Sequence, residues 1–426
     1  MSKKTNLFKL LACAAVILAL CLGATMTAFA AEPDFPHAAG TPENPAEAGL
    51  TKILQMPIGT ITPDVTFTFK FEKKALDGDQ TDPAKAIMPA IGNKDIEFEA
   101  ADDPAPNGGV KYIPKETGDV LPQSWPRAGV YEYTVTEVGS DKKYPVIDDN
   151  NTPTDPSDDF IKENMTYSPA VYTMRVYVDN GPNGPYAKYV TAQVITKDNN
   201  GQTQDAKVDP TPGEENSEGD YSQMIFTNTY LKNNGGINPP TDPDKAVFAL
   251  SKAVSGLSAD QTKPFTFSVT VNSPAVGVAA GATYKAYIFT GTTINPTPII
   301  FTSGTLKNDI TLTHGQKLVF IDLPVGSSFD VTEAAASDYT ASCALRFNGQ
   351  TTDLTLNAAK QGDPLGTGSR FIGETENKAD FTNAYKTVTP AGIGVDDLPY
   401  LVLIGVVLVA LAAFGAVKLR KRANQH

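Results

Sequence analysis

Alternation with a period of two governs most of the chain. Val65-Thr-Phe-Thr-Phe-Lys-Phe71, Val130-Tyr-Glu-Tyr-Thr-Val-Thr-Glu137, Val171-Tyr-Thr-Met-Arg-Val-Tyr-Val178, Tyr189-Val-Thr-Ala-Gln-Val-Ile195 and Met224-Ile-Phe-Thr-Asn228 set β-branched and aromatic residues against polar ones. That is the pattern of strands with one buried face. Runs such as Asp148 to Asp155 and Asp198-Asn-Asn-Gly201 punctuate them as turns and long loops. Lys232 to Pro243 has the Gly, Pro and Asn content of a linker, and the alternation then restarts in Phe265 to Val271, Lys317 to Ile321 and Ser328 to Glu333. No helical-period segment of useful length lies outside the two ends. The chain therefore reads as all-β, two tandem β-sandwiches over 46–232 and 245–386 with a linker at 233–244, each large enough to bury a core.

The ends follow another rule. Lys3, Lys4 and Lys9 lead into an apolar run from Leu10 to Leu22 and then Ala28-Phe29-Ala30, the layout of a secretory signal over 1–30. Residues 31–45, rich in Pro, Ala and Glu, read as a flexible leader. Leu398 to Val417 is 20 residues without a charge and is followed by Lys418, Arg420, Lys421 and Arg422. This predicts a single transmembrane helix at 398–417 with the basic tail, 418–426, in the cytoplasm. Everything between the signal and that helix is expected outside the cell.

Composition removes several functions. The chain has 48 acidic and 35 basic residues, a net −13, and the exported part is more acidic once the signal and tail cations are set aside. Nucleic acid is excluded as a partner on that balance. Of three cysteines, Cys13 and Cys21 lie in the signal; Cys343 has no partner for an internal disulfide and reads as a small buried strand residue. His37, His314 and His426 are scattered, so no catalytic triad or zinc site is expected, and the acidic loop from Asp148 to Asp159 lacks calcium-loop spacing. No cofactor, metal or turnover enzyme is predicted, and Trp125 reads as a packing residue.

What does recur is a triad. Lys52, Glu137 and Asn228 in the first half match Lys252, Glu333 and Asn383 in the second, in the same order and setting. Leu50-Thr-Lys52 aligns with Leu250-Ser-Lys252, Phe67-Thr-Phe69 with Phe265-Thr-Phe267, and Phe226-Thr-Asn228-Thr-Tyr230 with Phe381-Thr-Asn383-Ala-Tyr385. Lys to Glu spans 85 residues in one and 81 in the other, whereas Glu to Asn spans 91 and 50, so the late half is trimmed.

These residue types suit one reaction. A lysine amine attacks a carboxamide and expels ammonia only when it is unprotonated and the carbonyl is polarised, and both conditions fail in water at neutral pH. Burial favours the neutral amine and the neutral carboxylic acid; a protonated Glu137 or Glu333 would then hydrogen-bond the Asn carbonyl and relay protons to the departing ammonia. Contact on neighbouring strands supplies proximity, and each bond forms once. If Phe226 and Asn228 share a face, Tyr230 shares it too, with Thr227 and Thr229 facing away. The competing reading makes the lysines surface residues and the glutamates solvated; two triads in register weigh against it.

The first half, through Leu-Thr-Lys52, Gly129 to Glu137, Met165-Thr-Tyr-Ser-Pro169 and Phe226-Thr-Asn228, resembles the pilin isopeptide-linkage domain of Gram-positive surface pili. The second resembles a shorter related module. The resemblance implies an intramolecular bond between Lys52 and Asn228 promoted by Glu137, and likewise Lys252, Asn383 and Glu333. It implies a bacterial surface protein, pilin-like or an accessory stalk, with sortase and other pilin subunits as partners. Thr387-Val-Thr-Pro390-Ala391-Gly392 is similar to a shortened sorting signal, with Ala391 where threonine would form the acyl link. Cell-wall transfer and retention of the membrane helix both stay open. Between Lys207 and Asn228 there is no lysine where related pilins place the one that accepts the next subunit. An adhesin whose first-module loops bind a host or matrix ligand is the alternative.

Overall fold

The alternating segments form strands because their apolar residues have a core to face. The computed structural model describes residues 39–149, 159–199, 203–213, 221–233, 235 and 239–385. The signal segment, residues 31–38 of the leader, Pro390, Ala391 and Gly392, the 398–417 segment and the basic tail lie outside the described residues. Among the described residues no helix is long and apolar enough to cross a membrane.

The first module comprises β1 (Thr51–Pro57), β2 (Val65–Leu76), the short helix α1 (Asp82–Ile87), β3 (Lys94–Phe98), β4 (Val110–Glu116), β5 (Gly129–Ser140), β6 (Val146–Asp148), β7 (Phe160–Thr166), β8 (Val171–Gly181), β9 (Gly184–Thr196), β10 (Lys207–Val208) and β11 (Ile225–Lys232). One sheet has the order β4-β1-β11-β7-β6 and the other β10-β9-β8-β5-β2-β3. Phe67, Phe69, Tyr131, Tyr133, Tyr172, Met174 and Phe226 fill the core between them. Residues 40–46, the end of the leader stretch, run along β9: Gly40 N donates to Lys188 O at 2.8 Å and Ala46 N to Ala187 O at 2.9 Å.

The second module comprises β12 (Phe248–Ser255), β13 (Phe265–Asn272), β14 (Thr283–Thr290), β15 (Thr293–Ile294), β16 (Ile299–Thr302), β17 (Lys307–Leu312), β18 (Gln316–Phe320), β19 (Ser328–Glu333), β20 (Tyr339–Arg346), β21 (Leu354–Asn357), β22 (Leu365–Gly366), β23 (Arg370–Phe371) and β24 (Lys378–Tyr385). The larger sheet runs β15-β14-β18-β12-β24-β20-β21, with β16 on β14. The smaller runs β17-β13-β19-β22, with β23 on β19. Phe248, Phe267, Phe320, Phe329 and Phe381 anchor its separate core.

In each module the first and last strands are parallel neighbours. Lys52 pairs with Phe226 and Leu54 with Asn228; Lys252 pairs with Phe381 and Val254 with Asn383. Residues opposite each other in a ladder point to the same face, so each Lys lies diagonal to its Asn on the core side. β1 is buried along its whole length, on both faces, which erases the alternation a half-exposed strand would show. Part of its cover is the other module. Ile61 N donates to Glu374 Oε1 at 2.7 Å, Val325 N to Lys232 O at 2.9 Å, and Lys232 pairs with Glu374. Gly326, at φ +83°, sits against Pro57 where no side chain fits.

Candidate functional site

The two triads are buried clusters at the centre of each sandwich. Lys52 and Asn228 come from one sheet and Glu137, at the end of β5, from the facing one. Lys52 Nζ lies 2.9 Å from Glu137 Oε2, and Asn228 Nδ2 donates to Glu137 Oε1 at 2.6 Å. In the second module Lys252 Nζ and Asn383 Nδ2 both donate to Glu333 Oε1, at 2.8 and 2.7 Å. The two lysine side chains are fully buried and the two glutamate side chains 2 and 1% exposed, so the six side chains are almost wholly removed from water. These are the residues the spacing singled out, and each glutamate touches both partners.

Aromatic rings supply the dry surroundings. Lys52 Nζ sits 4.5 Å from the Phe67 ring centre and Lys252 Nζ 4.2 Å from that of Phe265. Phe226 packs on Phe69 and Tyr172, and Phe381 on Phe267. Tyr230 does line the core and packs on Tyr144, and half-buried Tyr385 packs on Tyr339. Much of the collar is thus Phe67, Phe69, Phe265 and Phe267 of the facing sheets. Thr227 and Thr229 occupy the other face of β11 as the alternation requires. They are nonetheless buried, with Gln55 Nε2 donating to Thr229 Oγ1 at 2.6 Å.

The electrostatics follow from burial. Desolvation pushes Lys52 down to about 8 against the pull of Glu137, and Lys252 down to about 8 against Glu333. The same burial raises Glu137 and Glu333 above the usual carboxylate range, with the lysine opposing. Both shifts favour moving the lysine proton onto the glutamate. The amine and the acid needed for amide formation are therefore brought closer in energy than they are in water.

One detail differs from the sequence expectation. The carboxamide offers its nitrogen, not its oxygen, to the glutamate in both modules. In the first the oxygen is already taken, because Ser168 N donates to Asn228 Oδ1 at 2.7 Å. In the second, Asn383 Oδ1 and Glu333 Oε2 are buried with no hydrogen-bond partner among the described residues. The glutamate thus faces the carboxamide nitrogen in both modules. A cleft of about 540 Å³ lined by Glu137, Ser140, Lys143, Tyr144 and Tyr167 opens beside the first site. Trp125 packs on Tyr131, centroids 4.7 Å apart, and Cys343 is buried opposite Phe381, its thiol pushed up to about 12 by burial.

A sandwich whose parallel first and last strands bring a lysine and an asparagine together on a buried glutamate is the class of β-module that fold and site define. Residues 48–231 match the family model of the Spy0128-like isopeptide containing domain. Residues 247–385 match a different model, described as a domain of unknown function (DUF7601). A curated relative, the pilus tip adhesin Cpa of Streptococcus pyogenes, is 29% identical over 157 residues, covering 37% of this chain and 19% of the relative. The chain thus spans about a fifth of that relative's length. Among solved structures, the major pilin of Streptococcus pyogenes aligns with 80% of this chain and 99% of its own, at 20% identity and a TM-score of 0.32. The pilus-presented adhesin Cpa aligns with 79% of this chain and 99% of its own, at 12% identity and a TM-score of 0.24.

Proposed function

We propose that this is a pilin-like structural protein of a Gram-positive cell surface, each module locked by an amide bond it forms itself, Lys52 to Asn228 and Lys252 to Asn383. The observation that carries the reading is the convergence, twice, of a buried amine and a buried carboxamide on one buried glutamate. In each site the lysine gives a proton to the glutamate; the neutral amine attacks Cγ of the asparagine, and the new C–N bond forms. The glutamate returns a proton to the carboxamide nitrogen as its bond to Cγ breaks, and takes up the one the attacking nitrogen sheds. The products are a secondary amide and one ammonia, for which the cleft beside Glu137 offers a way out.

The mechanical role follows from the parallel terminal strands. A pull through the ends of a module shears β1 against β11, or β12 against β24, and hydrogen bonds alone would carry that load. With the amide in place the force passes from Lys52 straight to Asn228, and the intervening sandwich is not stretched. Export by the 1–30 segment and anchoring by 398–417, with sortase transfer at Pro390, Ala391 and Gly392 or retention in the membrane, belong to this proposal and rest on the sequence. So does assembly with other pilin subunits. Peptide mapping of the envelope protein tests both parts. A branched peptide joining Lys52 to Asn228 supports the lock, and its absence refutes it; peptides from Leu398 onward separate membrane retention from cell-wall transfer.

A second reading, an adhesin binding a host or matrix molecule, is favoured by the similarity to a pilus tip adhesin. A screen of the chain against immobilised matrix proteins tests it.

A further inference from the structure

The first site has a support that the second lacks, built from residues to which neither the triad nor the lock assigns a part. β7 pairs with β11 only as far as Thr166, opposite Thr229. There the chain turns away through Tyr167-Ser168-Pro169, and the backbone of β11 at Thr227 and Asn228 loses its ladder partner on that side. Asp198 and Asn199, from the turn after β9, fill the gap. Asp198 Oδ1 accepts from Ser168 Oγ at 2.5 Å and from Thr227 N at 2.9 Å. Asn199 Nδ2 donates to Tyr167 O and to Thr227 O, each at 3.2 Å. The freed Ser168 N–H then points at Asn228 Oδ1, 2.7 Å away.

We propose that Ser168 and Asp198 are positioning residues for amide formation in the first module. The Ser168 N–H binds the carboxamide oxygen on which negative charge gathers during attack, and the Asp198 carboxylate holds Ser168 and the strand beside Asn228 in the geometry that allows it. This rests on the reading of Lys52 and Asn228 as a self-formed amide. Donors already aimed at a developing oxyanion lower a barrier without reorganising, the principle of the oxyanion hole. Asp198 is 2% exposed, and its Oδ2 has no hydrogen-bond partner among the described residues. A buried carboxylate in that state is costly, which gives a reason to look for a role beyond joining two loops. Its charge also bears on the reacting groups, adding to the burial-driven rise of Glu137 and opposing part of the burial-driven drop of Lys52. For Glu137 that favours the acid form needed to protonate the leaving nitrogen. Module two offers the contrast: β20 runs on past Asn383 with Ala341 opposite, and the Asn383 oxygen is left without a donor among the described residues.

The test follows bond formation in newly made full-length chain. Cell-free translation is quenched at timed intervals, and peptide mapping reports each ammonia loss separately. The second module serves as the internal control. Asp198→Ala is expected to slow the first loss by about tenfold or more, and Ser168→Ala by less, while the second loss keeps its rate. Asp198→Asn keeps an acceptor oxygen and is expected to restore much of the rate at neutral pH. Because the lost charge raised both Lys52 and Glu137, its pH–rate profile should move to lower pH. A merely structural Asp198 would leave that profile in place. Thermal melting monitors folding; should Asp198→Ala fail to fold, Ser168→Ala and Asp198→Asn decide. Variants that fold and lose the first ammonia at the wild-type rate, with an unmoved profile, overturn the proposal. Wild-type chain that never forms the Lys52 to Asn228 branch overturns instead the lock on which it rests.

Discussion

In the first module the strand beside Asn228 stops at Thr166 and turns away, whereas in the second the corresponding strand continues in unbroken register from Tyr339 to Arg346. The break releases a backbone N–H that reaches Asn228 Oδ1, and the unbroken ladder keeps its N–H groups for pairing. Lys and Glu stand in nearly the same relation in both, 2.9 and 2.8 Å apart, and the two lysines are lowered alike. The shared part is what the facing sheets deliver; the part that differs is set by the neighbouring strand. Burying an amine and an acid together is thus separable from gripping the carbonyl, and one chain contains both versions.

The largest effect expected is mechanical. Under single-molecule stretching, Asn228→Ala should release on the order of 600 Å of chain from the first module, and Asn383→Ala roughly 450 Å from the second. Neither extension should appear in the wild type. Equal wild-type and variant traces for one module would confine the lock to the other. In equilibrium unfolding, loss of either bond should cost about 5 kcal/mol, similar for both because loop closure depends only on the logarithm of loop length. Replacing Glu137 or Glu333 by Ala should abolish the corresponding bond and leave a buried lysine unpaired. That costs roughly 3–5 kcal/mol, read as a drop in denaturant midpoint.

The pH dependence is smaller and has a definite sign. In Asn228→Ala or Asn383→Ala the lysine stays an amine with a folded pKa of about 8, below the unfolded value. The unfolded chain then holds more protons between about 8 and about 10.4, so stability should rise with pH across that window. The raised glutamates act oppositely: their contribution is complete below the unfolded carboxyl range and is lost as pH climbs through the raised folded value. Wild-type chain should lack the alkaline limb, because an amide nitrogen does not titrate. The smallest effect concerns the joint between modules. Glu374→Ala removes the acceptor for Ile61 N and the partner of Lys232, and should lower the melting temperature by a few degrees at most.

Much of this was legible in the chain. β2, β5, β8, β9, β13 and β19 show clean alternation because one face of each meets a core, and the three triad positions are marked by repeating. β1 was visible only through Lys52, since burial on both faces removes the alternation. β7 and β14 carry too mixed a pattern to stand out. The grip on the Asn228 carboxamide oxygen depends on where β7 breaks, and Ser168-Pro169 marks that break without saying what the freed N–H will meet. Asp198 gave no signal, because Lys-Asp-Asn-Asn-Gly is ordinary turn sequence and its meeting with Ser168 is a tertiary event.

Whether two buried lysines fuse to two buried asparagines is read from the intact mass of the folded two-module protein. The wild-type mass should fall below the encoded one by two ammonias, with one regained in Asn228→Ala and one in Asn383→Ala. A wild-type mass equal to the encoded value would contradict that fusion.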